Sequence, residues 1–160
     1  MIKNIFLNHK GKATIAAREH CTYLEASSIG ILYNSEEFST EVITKLEELL
    51  KSDKKDVARM GYTDKPSEEK LIFSKKDISG TGTVKKDNLS FFINQTFDFL
   101  ISLDTSENIN YKYVLALSKA TCKVGFETEK YYDLLQLSLK MDDSKPKAVA
   151  NIVRYLKMIQ

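Results

Sequence analysis

Asp104 stands directly after the most apolar stretch of the sequence, Phe97-Asp98-Phe99-Leu100-Ile101-Ser102-Leu103, and is followed by Thr105. A carboxylate at the carboxyl end of a buried strand sits where open α/β sheets gather their ligand-binding groups, and it could act there as a base or a metal ligand. Asn34 and Ser35 follow a second apolar run, Ser28 to Tyr33, and Gly61 and Gly125 end two more. If those runs are parallel strands, Asn34, Ser35, Gly61, Asp104, Thr105 and Gly125 share one rim. A helix starting at Asn34-Ser35 would offer free amides and a positive dipole end to a small anion. The same residue types also cap helices and satisfy loop amides, and that structural reading is the preferred one.

No other grouping of reactive residues reaches a known chemistry. Ser79-Gly80-Thr81-Gly82-Thr83 contains a Gly-x-Gly, but no third glycine follows to complete a dinucleotide fingerprint. Val84-Lys85-Lys86 lacks the Gly-Lys-Ser/Thr ending of a phosphate-binding loop, so the segment reads as a turn. His9, His20, Cys21 and Cys122 match no zinc spacing, and no metal or other cofactor is expected. A Gly-x-Ser-x-Gly elbow is absent, which excludes the usual acyl-transfer arrangement.

The elements that would position the rim residues follow from periodicity. Ser28–Tyr33 has strand length, and Val42, Ile43, Leu46, Leu49 and Leu50 recur at helical spacing after it. Val57 to Tyr62 reads as the next strand. The region 63–95 is less regular, with a very short strand at Leu71-Ile72-Phe73 and a short helix over Asn88 to Gln95. Phe97–Leu103 is nearly continuously apolar, as strands covered on both faces are, and should be central. Ile109 to Ala120 reads as a buried helix, Thr121 to Phe126 as a strand, and Leu134 to Met141 as an edge strand with one wet face. Ser144 opens a final helix with Pro146 in its first turn and Val149, Ile152, Val153, Leu156 and Ile159 along one side. Alternating strands and helices imply an α/β fold, a Rossmann-like three-layer sandwich with a mostly parallel sheet of about five or six strands.

Composition sets the outer bounds. The chain has 160 residues, which suits an N-terminal helical arm over residues 1–20 and one α/β domain over 21–160. A net charge of only +2, with lysines interleaved among aspartates, builds no phosphate-tracking stripe, so nucleic-acid binding is not expected. No apolar stretch approaches the roughly 20 residues of a membrane helix. Two cysteines and an N-terminus unlike a secretory leader point to a cytoplasmic protein with reduced thiols.

Three stretches carry a family likeness: Ser28 to Asn34, Phe97 to Ile101, and Lys119-Ala120-Thr121-Cys122-Lys123-Val124-Gly125-Phe126. They resemble an uncharacterised family of short bacterial proteins, widespread in Bacteroidota and grouped as a domain of unknown function. The resemblance implies lineage and no activity. Phe97 to Phe126 is also similar to part of the amino-terminal half of heptosyltransferase-like glycosyltransferases, which would make this chain a half domain without a donor-sugar site.

The expectation is therefore a non-catalytic module that binds a ligand or a protein, with the N-terminal arm available for a homodimer. The alternative is an enzyme acting on a nucleotide or sugar-phosphate, with Asp104 as base or metal ligand and the Asn34-Ser35 segment holding the anion.

Overall fold

The computed structural model describes residues 22–141 and 144–159. The arm over residues 1–20, with His9 and His20, lies outside the described residues, as does Cys21. Eleven elements follow in order: β1 (Ser28–Asn34), α1 (Thr40–Ser52), β2 (Asp56–Tyr62), β3 (Ile72–Phe73), a 3-10 turn (Lys75–Asp77), α2 (Asp87–Asn94), β4 (Phe99–Leu103), α3 (Ile109–Leu117), β5 (Cys122–Phe126), β6 (Leu137–Leu139) and α4 (Lys145–Met158).

The six strands form one sheet in the order β3-β2-β1-β4-β5-β6, and every neighbouring pair is parallel. This is the strand order of a doubly wound Rossmann-like sheet, with a reversal at β1. The central strands are apolar because both faces are covered, and all five residues of β4 and of β5 are buried.

Residue parity sorts the core into two layers. Ile29, Ile31, Phe99, Ile101, Val124 and Phe126 face one cluster, which takes Ile43, Leu46 and Leu50 from α1 and Val149, Ile152 and Leu156 from α4. Leu32, Met60 and Leu100 face the other, with Leu89, Phe92 and Ile93 from α2 and Tyr111, Val114 and Leu115 from α3. Two helices per face complete the three layers.

Several boundaries differ from the sequence expectation. Helix α1 does not begin at Asn34-Ser35: its N-cap is Ser39, whose side chain accepts from the Val42 amide at 3.3 Å. Phe97 and Asp98 precede β4 because both are engaged elsewhere. The Phe97 ring packs on Phe92 at 5.1 Å, and the Asp98 carboxylate accepts from the Ser27 amide at 2.7 Å and the Ser28 amide at 3.1 Å, joining the lower ends of β1 and β4. The expected edge strand over Leu134 to Met141 shrinks to Leu137–Leu139, because Leu134 and Leu135 turn into the core together instead of alternating. It does occupy the edge, paired on one side with β5. The short helix expected near Asn88 forms as α2, and no described helix is long and apolar enough to cross a membrane.

Candidate functional site

In a sheet of this order, the connections leaving β1 and β4 diverge to opposite faces, and the crevice between them is where ligands enter. Here the crevice is held by the chain's own side chains. Asn34 is the last residue of β1, Asp104 follows β4, and the Asn34 amide Nδ2 donates to Asp104 Oδ1 at 2.7 Å. Ser106 Oγ donates to the same carboxylate at 2.7 Å, the Glu107 amide donates at 3.0 Å, and the Tyr131 hydroxyl donates to Oδ2. Asp104 is 0% exposed. Its carboxylate has at least four donors and no face open to solvent.

The loop from β1 to α1 adds a second carboxylate. Glu37 Oε1 accepts from the Thr105 amide at 2.9 Å and the Ser106 amide at 3.0 Å, and the Thr105 hydroxyl donates to Glu37 Oε2. Its neighbour Glu36 accepts from Thr63 Oγ1 at 2.8 Å and the Asp64 amide at 3.2 Å. These bonds tie the loops after β1, β2 and β4 into one layer. Burial, and then a hydrogen bond to Asp104, push the Glu37 carboxyl above its ordinary value. Burial opposes the Asp104 charge as well, but hydrogen bonds from Glu37, Tyr131, Asn34 and Ser106 together outweigh it and hold Asp104 below its ordinary value. The pair thus divides its protons unevenly, with Glu37 protonated before Asp104 as pH falls.

Helix starts on this rim are equally occupied. Asn108 caps α3 by accepting from the Asn110 amide at 2.9 Å and the Tyr111 amide at 3.3 Å. Beneath the carboxylates lies an aromatic floor. The Tyr111 hydroxyl donates to the Leu32 carbonyl at 2.7 Å and lies 3.0 Å from Ser102 Oγ, while its ring meets Tyr62 and Tyr131 at 6.4 and 6.2 Å. Burial raises the Tyr111 and Tyr131 hydroxyls well above their ordinary value, and burial with the Asp64 contact takes Tyr62 to about 12. These phenols serve as fixed donors, not as titrating acids.

Of the residues picked out by sequence, Asn34, Asp104 and Thr105 come together. Ser35 stands beside them but serves β2: its hydroxyl and its amide both donate to the Tyr62 carbonyl, at 2.6 and 2.8 Å. Gly61 and Gly125 are packing positions. A Cβ on Gly61 would lie 2.7 Å from the Tyr33 ring, and one on Gly125 would lie 2.8 Å from the Ser102 carbonyl oxygen. Glu37, Ser106 and Tyr131 complete the network and were missed. Glu37 and Ser106 lie within three residues of Asn34 and Asp104, so proximity was a signal for them. Tyr131 sits in an aperiodic stretch between β5 and β6 that offered none. Among the described residues no group of three or more His, Cys, Asp or Glu side chains is placed to hold a metal ion.

A family described as a family of unknown function (DUF6913) matches residues 3–159. No curated protein and no solved structure matches the chain.

Proposed function

We propose a non-catalytic protein-binding role for this chain, which belongs to that family of unknown function. The observation that carries the reading is the Asn34-to-Asp104 hydrogen bond across the crevice, which occupies the place where this topology would admit a small molecule. A base for nucleotide or sugar chemistry needs a lone pair within reach of substrate, and the Asp104 carboxylate already accepts from four donors within the chain.

Electrostatics favour the same conclusion. An anionic ligand needs free amides and a positive field, whereas the Thr105, Ser106 and Glu107 amides are spent on Glu37 and Asp104. Glu36, Glu37, Asp64 and Asp104 would repel a phosphate at that rim. Recognition then falls to the outer surfaces of the helices and the sheet edge, where Tyr155 and Met158 of α4 expose 40% and 72% of their surface.

A thermal-shift panel of nucleotides and sugar phosphates tests this reading, with no change in melting temperature as the expected result. A ligand that stabilises the wild type and fails to stabilise an Asp104→Asn protein of unaltered fold would overturn it.

A further inference from the structure

Among the described residues strand β6 is an edge, paired with β5 alone, and the groove between it and α4 is lined by Leu139, Lys140, Asn151, Arg154, Tyr155 and Met158. Leu137 and Leu139 lean toward the α4 layer, and Ser138 points the other way and is exposed. The edge therefore offers backbone groups that no described strand pairs, beside an apolar shelf.

Charge selects what fits. Helix α4 carries Lys145, Lys147, Arg154 and Lys157 and no carboxylate. Lys145 donates to the Glu37 carbonyl and Lys157 pairs with Asp53 at 3.0 Å, so both are used within the fold. Lys147 and Arg154 are seven residues apart on one helix face, with Asn151 between them and Met158 one turn beyond. Lys140 flanks the same groove, and no described carboxylate forms an ion pair with Lys140, Lys147 or Arg154. The surface is cationic and apolar at once.

We propose that β6 and the adjoining face of α4 form a docking site for an acidic peptide segment of a partner protein, bound in extended form as an added strand. This rests on the protein-binding reading above and deepens it. Main-chain hydrogen bonds to β6 would supply sequence-independent affinity, and alternate side chains would reach the groove. Apolar side chains of the peptide would lie on Leu139, Tyr155 and Met158, and its carboxylates would meet Lys140, Lys147 and Arg154. A peptide is favoured over a nucleic acid because the strand edge pairs with a peptide backbone, and among the described residues Lys140 and Arg154 are the only cations lining the groove, with Lys147 further along the same helix face.

The test titrates the 15N-labelled full chain with a short peptide of alternating glutamate and valine, its lysine-valine counterpart, oligothymidylate and anionic phospholipid vesicles. The acidic peptide should shift the amides of Ser138, Leu139, Lys140, Arg154 and Tyr155, and binding should weaken as salt is raised. A Lys140→Glu, Arg154→Glu protein should bind it about tenfold more weakly or worse at unchanged melting temperature, since both side chains are exposed. No binding, undiminished binding by that variant, or equal binding of the lysine-valine peptide would each overturn the site. Stronger engagement of the same residues by oligothymidylate or vesicles would replace the peptide with that partner class. A nucleotide bound at the Asp104 rim is read out separately and sinks the broader reading, whatever the peptide does.

Discussion

Lys123 should weaken the fold at neutral and acidic pH, and replacing it with methionine should strengthen it. The side chain projects from β5 into the layer formed by α2 and α3, is 1% exposed, and makes one hydrogen bond, to the Ala116 carbonyl near the end of α3 at 3.3 Å. Burial pulls its amine from 10.5 down to about 7. Because the folded value is the lower one, the unfolded chain holds more protons between about pH 7 and 10.5, and stability rises with pH across that window. Below it both states are protonated and the full penalty applies, roughly 4 to 5 kcal/mol at about 1.4 kcal/mol per pH unit. Methionine keeps the length and apolar stem, removes the charge, and forfeits a hydrogen bond whose loss costs about 1 to 2 kcal/mol. The Lys123→Met protein should therefore gain roughly 2 to 4 kcal/mol near pH 6, and near pH 10, where under about 1 kcal/mol of the penalty remains, it should be about neutral or lose up to about 1 kcal/mol. Urea unfolding followed by far-ultraviolet circular dichroism at both pH values gives the midpoints and slopes. A destabilised variant near pH 6, or an equal midpoint shift at the two pH values with unchanged slopes, would refute the reasoning.

Further outcomes follow from the rim and the sheet. Asp104→Ala leaves the Glu107 amide and the Tyr131 hydroxyl without their acceptor, takes from Asn34 Nδ2 the shortest of its three contacts, and should cost about 3 kcal/mol, read as a lower urea midpoint. Gly125→Ala places a Cβ 2.8 Å from a backbone oxygen that cannot rotate away, so a loss of about 1 to 3 kcal/mol is expected in the same assay. Asp98 is depressed because hydrogen bonds from Ser27 and Ser28 outweigh its burial. Its stabilising contribution is present above the unfolded value of 3.8 and is lost as pH falls through the folded value, so an Asp98→Asn protein should show a shallower acid decline in melting temperature.

The sheet was legible because its strands bury both faces. Ile29, Ile31, Phe99, Ile101, Val124 and Phe126 are apolar for that reason, and runs of this kind survive any detail of the loops between them. The helical stripe of Ile43, Leu46 and Leu50 was equally plain, but the start of α1 was not. Asn34 and Ser35 have the composition of caps, and what draws them away from that role is long-range: Asp104, 70 residues downstream, takes the Asn34 amide, and the Tyr62 carbonyl takes the Ser35 hydroxyl. The 134–136 stretch misled for a related reason. Alternation of leucines predicts a strand, yet Leu134 and Leu135 bury side by side because the Leu134 and Leu135 amides turn back onto the Tyr131 carbonyl. Asp104 is legible as a position, and its bonding to the Glu107 amide agrees with the preferred reading of a carboxylate that satisfies loop amides, but a strand end says nothing of how many donors surround it.

On the protein-binding reading proposed above, a crevice closed in this way moves selectivity away from the centre of the sheet. In an open doubly wound sheet, the loops after β1 and β4 stay apart so that a ligand completes their hydrogen bonding, and glycines there let a phosphate approach the amides. Here Glu37 reaches from the first loop to the amides of the second, and Asp104 reaches back to Asn34, so each loop supplies what a ligand would have supplied. Opening the crevice would leave those carboxylates and amides unpaired and demand that an incoming group satisfy several buried partners at once. At the β6 edge no such cost arises: its outer backbone groups, Lys140 and Arg154 are already at the surface, and a partner strand adds hydrogen bonds and charge pairs without displacing any formed within the described fold. On the proposed reading, recognition that this topology usually concentrates at the centre of the sheet moves to the margin.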